Sequence, residues 1–361
     1  MNVFKQTFSE LSGFKEIKRC LDANVSPVSV NGLSPLHKAQ LVFSLADRKT
    51  SLIITDDESA AKKLCDDINS MSGNTHTACM FPSKEFIITD TEGASREYEH
   101  MRISALSAVL DGSCRVLAAS IEAAMQMIIP PDVLESNTVR IEKGQNIDIE
   151  KLLRKLVSCG YSKAEKTEGT GQFSVRGSII DIFPVNEHKP LRIELWDDEI
   201  DTISYFDPET QRRTDETEKL EICPAQETLC DMKILAEKLS GLMDGISSKP
   251  LIKHIKADYE KALENIIPEN IDRYITLIYD NRPSLFDYID GCIFIAEYNR
   301  IKERAEGITS QYHEDIRIML EENCITDSLC GYMYSFDEIS ELCEKYSCIY
   351  LNTFLHGMEN I

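Results

Sequence analysis

The sequence predicts an α/β protein that combines a parallel-sheet segment with a smaller α+β segment built on an antiparallel sheet. Three observations predict it. Between residues 28 and 119, short apolar runs take turns with helical periodicities, the pattern of a parallel sheet with helices on both faces. From Gly160 to Cys223, the pattern changes to short polar/apolar alternations punctuated by glycine and aspartate, as in consecutive antiparallel strands. Apolar strands then return at 292–296 and 348–352.

Size and charge narrow the function. A chain of 361 residues with 42% hydrophobic residues can bury the cores of two or three domains. Its formal charge of -22 argues against a surface that binds nucleic acid throughout, because phosphate neutralisation needs clustered Lys and Arg. An acidic chain meets another protein more readily. The 12 cysteines are scattered through apolar contexts, such as Cys292 in GCIFIA and Cys348 in SCIYL, and read as reduced core thiols. The pairs Cys343/Cys348 and Cys324/Cys330 lack C-x-x-C spacing and no two His stand as ligands would, so no metal site is expected. Lys5, Glu10 and Lys15 interrupt the N-terminal apolar positions, and no apolar run approaches the roughly 20 residues that span a bilayer. A cytoplasmic protein without membrane contact is expected.

In the first segment, residues 1–130, Phe4, Phe8, Leu11, Phe14, Ile17 and Leu21 recur at helical spacing. Strands follow at 28–30, 52–55, 78–81 and 116–119, with helices from Pro35, over 58–71 and over 98–110 between them. The first strand-to-helix junction, VNGLSPLHKAQL, is where a phosphate loop G-x-x-x-x-G-K-S/T would sit. Gly32 and Lys38 keep its spacing. His37 stands in place of the second Gly, Ala39 in place of the magnesium-holding hydroxyl, and Pro35 removes one N–H donor. Nucleotide chemistry is not expected there.

Pro130 and Pro131 break the preceding helix and open the middle segment, 131–228. A helix over 148–159 presents Ile149, Leu152, Leu153 and Leu156 on one face. In the sheet that follows, Gly169 and Gly171 supply a hairpin turn, Gly177 a bend or bulge, and Asp197-Asp198 the next turn. Lys163 and Arg176 are outward cations in an acidic chain, and an exposed Arg on a rigid strand can hold a carboxylate bidentately, so a docking surface is expected rather than an active site. For Arg176 an internal ion pair with Glu165, Glu168 or Asp181 stands as an equal reading. For Phe183 the residues alone favour core packing before Pro184. Glu194, Asp197, Asp198 and Asp201 read as solvated turn carboxylates rather than metal ligands.

The last segment, 229–361, opens with helical spacing at Met232, Leu235, Leu239 and Met243. The strand at 292–296 ends in AEYNR. In a helicase-type NTPase such a strand ends in D-E, the Asp supporting magnesium and the Glu preparing the attacking water. Glu297 holds the Glu position, but Ala296 replaces the Asp. Ser335 to Glu338 reads as a capping box opening a helix.

The run GQFSVRGSIIDIFP followed by LRIELWDDEIDTISYFDPETQR closely resembles the segment shared by the bacterial nucleotide-excision-repair protein UvrB and the transcription-repair coupling factor Mfd. The likeness extends through FPSKEFIITD, IIPPDVL and SLFDYIDGCIFIAEYNRI, and the whole looks like the N-terminal, UvrB-homologous part of Mfd. The resemblance implies a helicase-like parallel-sheet domain with a degenerate nucleotide site, made of residues 1–130 and 229–361 and interrupted by a UvrA-binding α+β domain at 131–228. It implies no catalytic residue and a non-catalytic adaptor that recruits UvrA to stalled transcription complexes. Arg176 matches the second Arg of the family's F-R-V-R-G, and Phe183 the Phe of its D-I/L-F-P. Ser174 replaces the first Arg, and Ser162, with Lys163 beside it, replaces a basic residue that often follows the G-Y pair. The family's full-length proteins continue into an RNA-polymerase-binding domain and an ATP-driven DNA translocase. Polymerase, DNA, ATP and magnesium would therefore belong to a missing part, the chain being a fragment without a cofactor of its own. The resemblance also implies that C-terminal domains mask the recruitment surface. The alternative, a UvrB-type DNA-dependent ATPase, predicts an intact G-K-S/T loop and an aromatic-rich hairpin, and neither occurs.

Overall fold

The computed structural model describes residues 5–7, 10–46, 49–85 and 96–354. They divide between two compact units, one within 1–85, 108–128 and 281–361, the other within 86–107 and 129–280. In the first unit, β1 Val28–Asn31, β2 Ser51–Thr55, β3 Ala78–Phe81, β4 Val116–Ser120, β13 Ile293–Ala296 and β14 Cys348–Asn352 form one sheet in the order β1-β14-β13-β2-β4-β3. Every pairing is parallel. β2, β4 and β13 are buried at each residue, as parallel strands covered on both faces must be, and this is why they read as apolar runs and not as alternations. The helices Pro35–Leu45 and Glu58–Ser72 contribute Leu41, Val42, Leu64 and Ile68 to a core shared with Ile53, Val116, Phe294 and Ile349.

The strands and helices expected in 28–119 all form, and the ends of the helices follow local chemistry. Asp57 accepts the Ala60 N–H at 2.7 Å to start Glu58–Ser72, and Gly73, at φ +70°, ends it. Ser335 and Glu338 make the expected reciprocal capping box on helix Phe336–Cys343. Phe14 and Ile17 are buried on helix Ser12–Asp22, whereas Phe4, Phe8 and residues 86–90 of FPSKEFIITD lie outside the described residues.

In the second unit, β6 Ser162–Lys163, β7 Gln172–Arg176, β8 Ile179–Ile182, β9 Leu191–Trp196, β10 Glu199–Phe206 and β11 Arg213–Glu216 form a sheet in the order β11-β10-β9-β8-β7-β6. A separate antiparallel pair joins β5 Val139–Glu142 to β12 Lys219–Ile222. One face of the larger sheet buries Phe173, Ile180, Ile182, Leu191, Ile193 and Ile203, the apolar half of the alternation. Both edges are poor templates for another strand, because β6 has two residues and every residue of β11 is exposed.

Three local expectations are corrected. β6 runs parallel to β7, so residues 164–171 are a crossover loop and Gly169 and Gly171 do not close a hairpin. Gly177, at φ +62°, lies in the two-residue turn between Arg176 and Ile179, a position of positive φ that a β-branched residue would strain. Pro131 begins helix Pro131–Asn137 at its first turn, where a missing N–H costs nothing, rather than ending an earlier helix. The second unit also takes in helices Met232–Asp244 and Lys249–Leu263, beyond the 131–228 expected for the middle segment. Tyr279 explains part of this by donating to Glu227 O at 2.7 Å while accepting from Leu229 N–H at 2.9 Å.

Within this unit Arg102 and Glu227 are fully buried and paired in a fork, Nε to Oε1 at 2.5 Å and Nη2 to Oε2 at 3.1 Å. Arg102→Met removes this fork from a fully buried carboxylate and is expected to cost about 3–5 kcal/mol in urea unfolding. Adding Glu227→Leu to that variant should recover most of the loss. A single-variant cost under 1 kcal/mol would show that the pair does not hold this unit together.

Candidate protein-interaction surface

Residues paired across an antiparallel ladder share a face, so the register of the sheet lays out its polar side in rows. Ser174, Asp181, Arg192 and Ser204 form one row, and Arg176, Ile179, Glu194 and Thr202 the next. Asp181 is the one acidic side chain in the run IIDIFP and only 3% of its side chain is exposed. Arg192 satisfies it from the neighbouring strand through Nε at 2.7 Å and Nη2 at 2.9 Å. The same guanidinium donates to Gln211 Oε1 at 3.2 Å and lies over the Phe206 ring at 4.8 Å. Hydrogen bonding to Asp181 pushes the Arg192 value above its ordinary one, against the effect of burial. Thr167, on the crossover loop, donates to Asp181 O at 3.1 Å and closes this part of the face.

With Asp181 already paired, Arg176 is left outward. Its side chain is 52% exposed, and Nη2 stands 4.0 Å from Asp181 Oδ2, at the outer limit of an ion pair. Among the described residues no pair with Glu165 or Glu168 forms, and Glu194 is engaged by Arg213 and by Thr202 Oγ1. Phe183 is half-buried and, two residues beyond Asp181, shares the Arg176 face. It lies about 13 Å along the strand from the Arg176–Ile179 row, at roughly 3.3 Å per residue. Lys163 is exposed, but it pairs in parallel with Phe173 and so belongs to the opposite pleat, while Ser162 takes the position on the Arg176 side. The three candidate residues are therefore not one cluster.

In the first unit, the junction after β1 and the end of β13 come together. Ser34 caps helix Pro35–Leu45 by accepting the His37 N–H at 3.4 Å, Gly32 takes φ +81°, and Lys38 and Ala39 are buried near the start of the helix. Lys38 Nζ pairs with Glu297 Oε1, which follows Ala296 and has a left-handed backbone at φ +65°. The same oxygen accepts the Thr353 N–H at 3.0 Å and the Thr353 hydroxyl. Burial pushes the Glu297 carboxyl up, but the hydrogen bonds from Lys38 and Thr353 outweigh it and hold the group below the usual carboxylate range. Among the described residues, no group of three or more His, Cys, Asp or Glu is placed to hold a metal ion, and no helix is long and apolar enough to cross a membrane.

Residues 139–227, from β5 through the six-stranded sheet to Glu227, match the family model described as the UvrB interaction domain. This segment is thus similar to a UvrB interaction domain. Over almost its full length the chain is also similar to transcription-repair-coupling factors. That of Bacillus subtilis is 27% identical over 373 residues, covering 98% of this chain and 31% of the relative. That of Staphylococcus epidermidis is 26% identical over 353 residues, covering 92% and 29%, and that of Staphylococcus aureus 27% over 350 residues, covering 91% and 29%. The chain thus spans about a third of the length of these relatives. Arg176, Phe183 and Lys163 all fall inside the matched segment, and the Lys38–Glu297 pair falls outside it.

Sequence reasoning missed the residues that set the state of Arg176. Arg192 reads as one polar residue in the alternation LRIEL, and Gln211 as part of a turn. The available signal was Asp181, a carboxylate in an apolar run, which needs an internal cation. Nothing in the sequence marked Thr353 as a partner of Glu297.

The Glu297 pair has a pH signature. A carboxyl held below its unfolded value contributes stability that is complete above the ordinary carboxylate range and is lost as pH falls through the folded value. Glu297→Gln should therefore lower unfolding stability by about 1–3 kcal/mol at pH 7. The deficit should shrink as the solution is acidified through and below that range. Equal deficits at pH 7 and in acid would exclude the ionised pair as its origin.

Proposed function

We propose that this chain is a non-catalytic adaptor, the N-terminal module of a transcription-repair coupling factor, whose middle sheet recruits UvrA of the nucleotide excision repair machinery to stalled transcription complexes. The observation that carries the reading is the outward Arg176 on the polar face of the UvrB interaction domain, with Asp181 already satisfied by Arg192. A guanidinium with free donors on a rigid strand is suited to a carboxylate of a partner. Phe183 on the same face and Lys163 at the sheet edge extend the contact on this reading.

The absence of catalysis is supported by the chemistry around Lys38. A triphosphate with magnesium needs a hydroxyl where Ala39 stands, a free lysine where Lys38 is tied to Glu297, and an acid where Ala296 stands. Pro35 offers no N–H, and the His37 N–H is bound to Ser34. These residues do not fit the group, so on this reading the first unit is a helicase-like scaffold with a degenerate nucleotide site. ATP, magnesium, DNA and RNA polymerase are then the business of sequence beyond these residues, as is the masking of the recruitment face by C-terminal domains.

Truncating a desolvated Arg that pairs with a carboxylate costs about 2–5 kcal/mol at an interface. Arg176→Ala is therefore expected to abolish UvrA retention in a pull-down while its circular dichroism stays that of the wild type. Full retention by the folded variant would remove Arg176 from the contact. Titration calorimetry with ATP and magnesium should give no binding, and a micromolar affinity that depends on Lys38 would restore the ATPase reading.

A further inference from the structure

The Arg176 face carries a side chain that takes part in no hydrogen bond, ion pair or ring contact among the described residues. Trp196 is the only tryptophan of the chain and is 81% exposed. It ends β9 two residues beyond Glu194, so the pleat puts it on the same face as Arg176, two strands across and one row further along. Its position is fixed. Trp196 stands opposite Glu199 across the Asp197-Asp198 turn, with Asp197 left-handed at φ +59°. The base of that hairpin is braced by residues 144–147, through Ile147 N–H to Asp198 O at 2.8 Å, Gly144 N–H to Ile200 O at 2.8 Å and Ile200 N–H to Gln145 O at 2.9 Å.

The surroundings of the ring define what it would meet. Asp197, Asp198, Glu199 and Asp201 are all exposed around the turn, and among the described residues no cation pairs with them. Arg176, with donors to spare, lies on the other side of Glu194. An indole that could bury about 150–250 Å² is thus presented beside uncompensated negative charge, with Arg176 two strands away on the same face and Arg213 held by Glu194. Its complement is an apolar pocket rimmed by Lys or Arg, with a carboxylate beyond the rim. Trp and Arg together are the residue types that dominate binding energy at the centre of protein interfaces.

We infer that Trp196 is the anchor side chain with which this face seats in UvrA, entering an apolar pocket of that partner whose rim is cationic. The inference rests on the UvrA-recruitment reading and adds the residue and the pocket chemistry to it. Arg176 supplies a directional contact, and the indole supplies the desolvated centre around which that contact becomes strong.

A single tryptophan makes the test direct. The full chain labelled with 5-fluorotryptophan has one fluorine resonance. Added unlabelled UvrA should shift or broaden it, with the midpoint of the binding isotherm. Trp196→Ala, an exposed substitution that leaves the circular dichroism unchanged, should weaken binding about 30-fold or more, equivalent to about 2 kcal/mol. Trp196→Phe should retain most of the affinity. If UvrA binds, Arg176→Ala weakens it, and both the fluorine signal and the affinity of Trp196→Ala are unchanged, the anchor is wrong while the recruitment reading survives. If UvrA does not bind the wild-type chain, both fall. A resonance that moves with the concentration of this chain alone would assign the indole to self-association and overturn the inference.

Discussion

The pairing of Asp181 with Arg192 decides what the middle sheet can offer. A carboxylate almost fully removed from water must have a cation with good geometry, or it would be protonated or would unfold its surroundings. Arg192 fills both oxygens from the adjacent strand, and its guanidinium is held in turn by Gln211 and the Phe206 ring. The nearby Arg176 is then not needed inside. Its half-exposed position follows from an electrostatic demand already met, and a strand face that would otherwise be internally neutralised keeps one outward positive group, the one the proposed recruitment would use.

The first unit shows the same economy with a different outcome. Lys38 is buried near the start of its helix, and Glu297 leaves β13 with a left-handed backbone that aims its carboxylate at the lysine. Thr353, just past β14, completes the coordination. Three positions far apart in sequence are drawn together because the parallel order places β14 between β1 and β13. Charge that could have faced a ligand is consumed internally here, whereas at Arg176 it is released.

The parallel sheet was legible in the sequence because burial on both faces leaves unbroken apolar runs, and SLIIT, VLAAS and IFIA fall where strands form. The polar face of the second sheet was legible as alternation, though its internal partners were not. Alternation tells which side a residue is on but not whether that side is covered, and the crossover loop at 164–171 covers Asp181 and Ser174 without any periodic signal. The same loop hid the direction of β6, since glycine spacing is compatible with a hairpin or a crossover. β5 went unread because its residues, Val-Arg-Ile-Glu, sit in a polar stretch and bury only Ile141. Lys163 could be identified as an outward cation, but its face depended on a parallel register that only the structure supplies.

The two edges of the larger sheet carry a consequence for how its recognition can change. A two-residue strand at one side and a fully exposed, charged strand at the other leave little backbone for a partner to extend by adding a strand of its own. On the proposed reading, recognition is thereby confined to side-chain tips on the pleated face. Such a contact could be retuned one codon at a time, each exchange altering strength without disturbing the ladder beneath, so the preferences of the proposed surface would be free to drift while its architecture stays put.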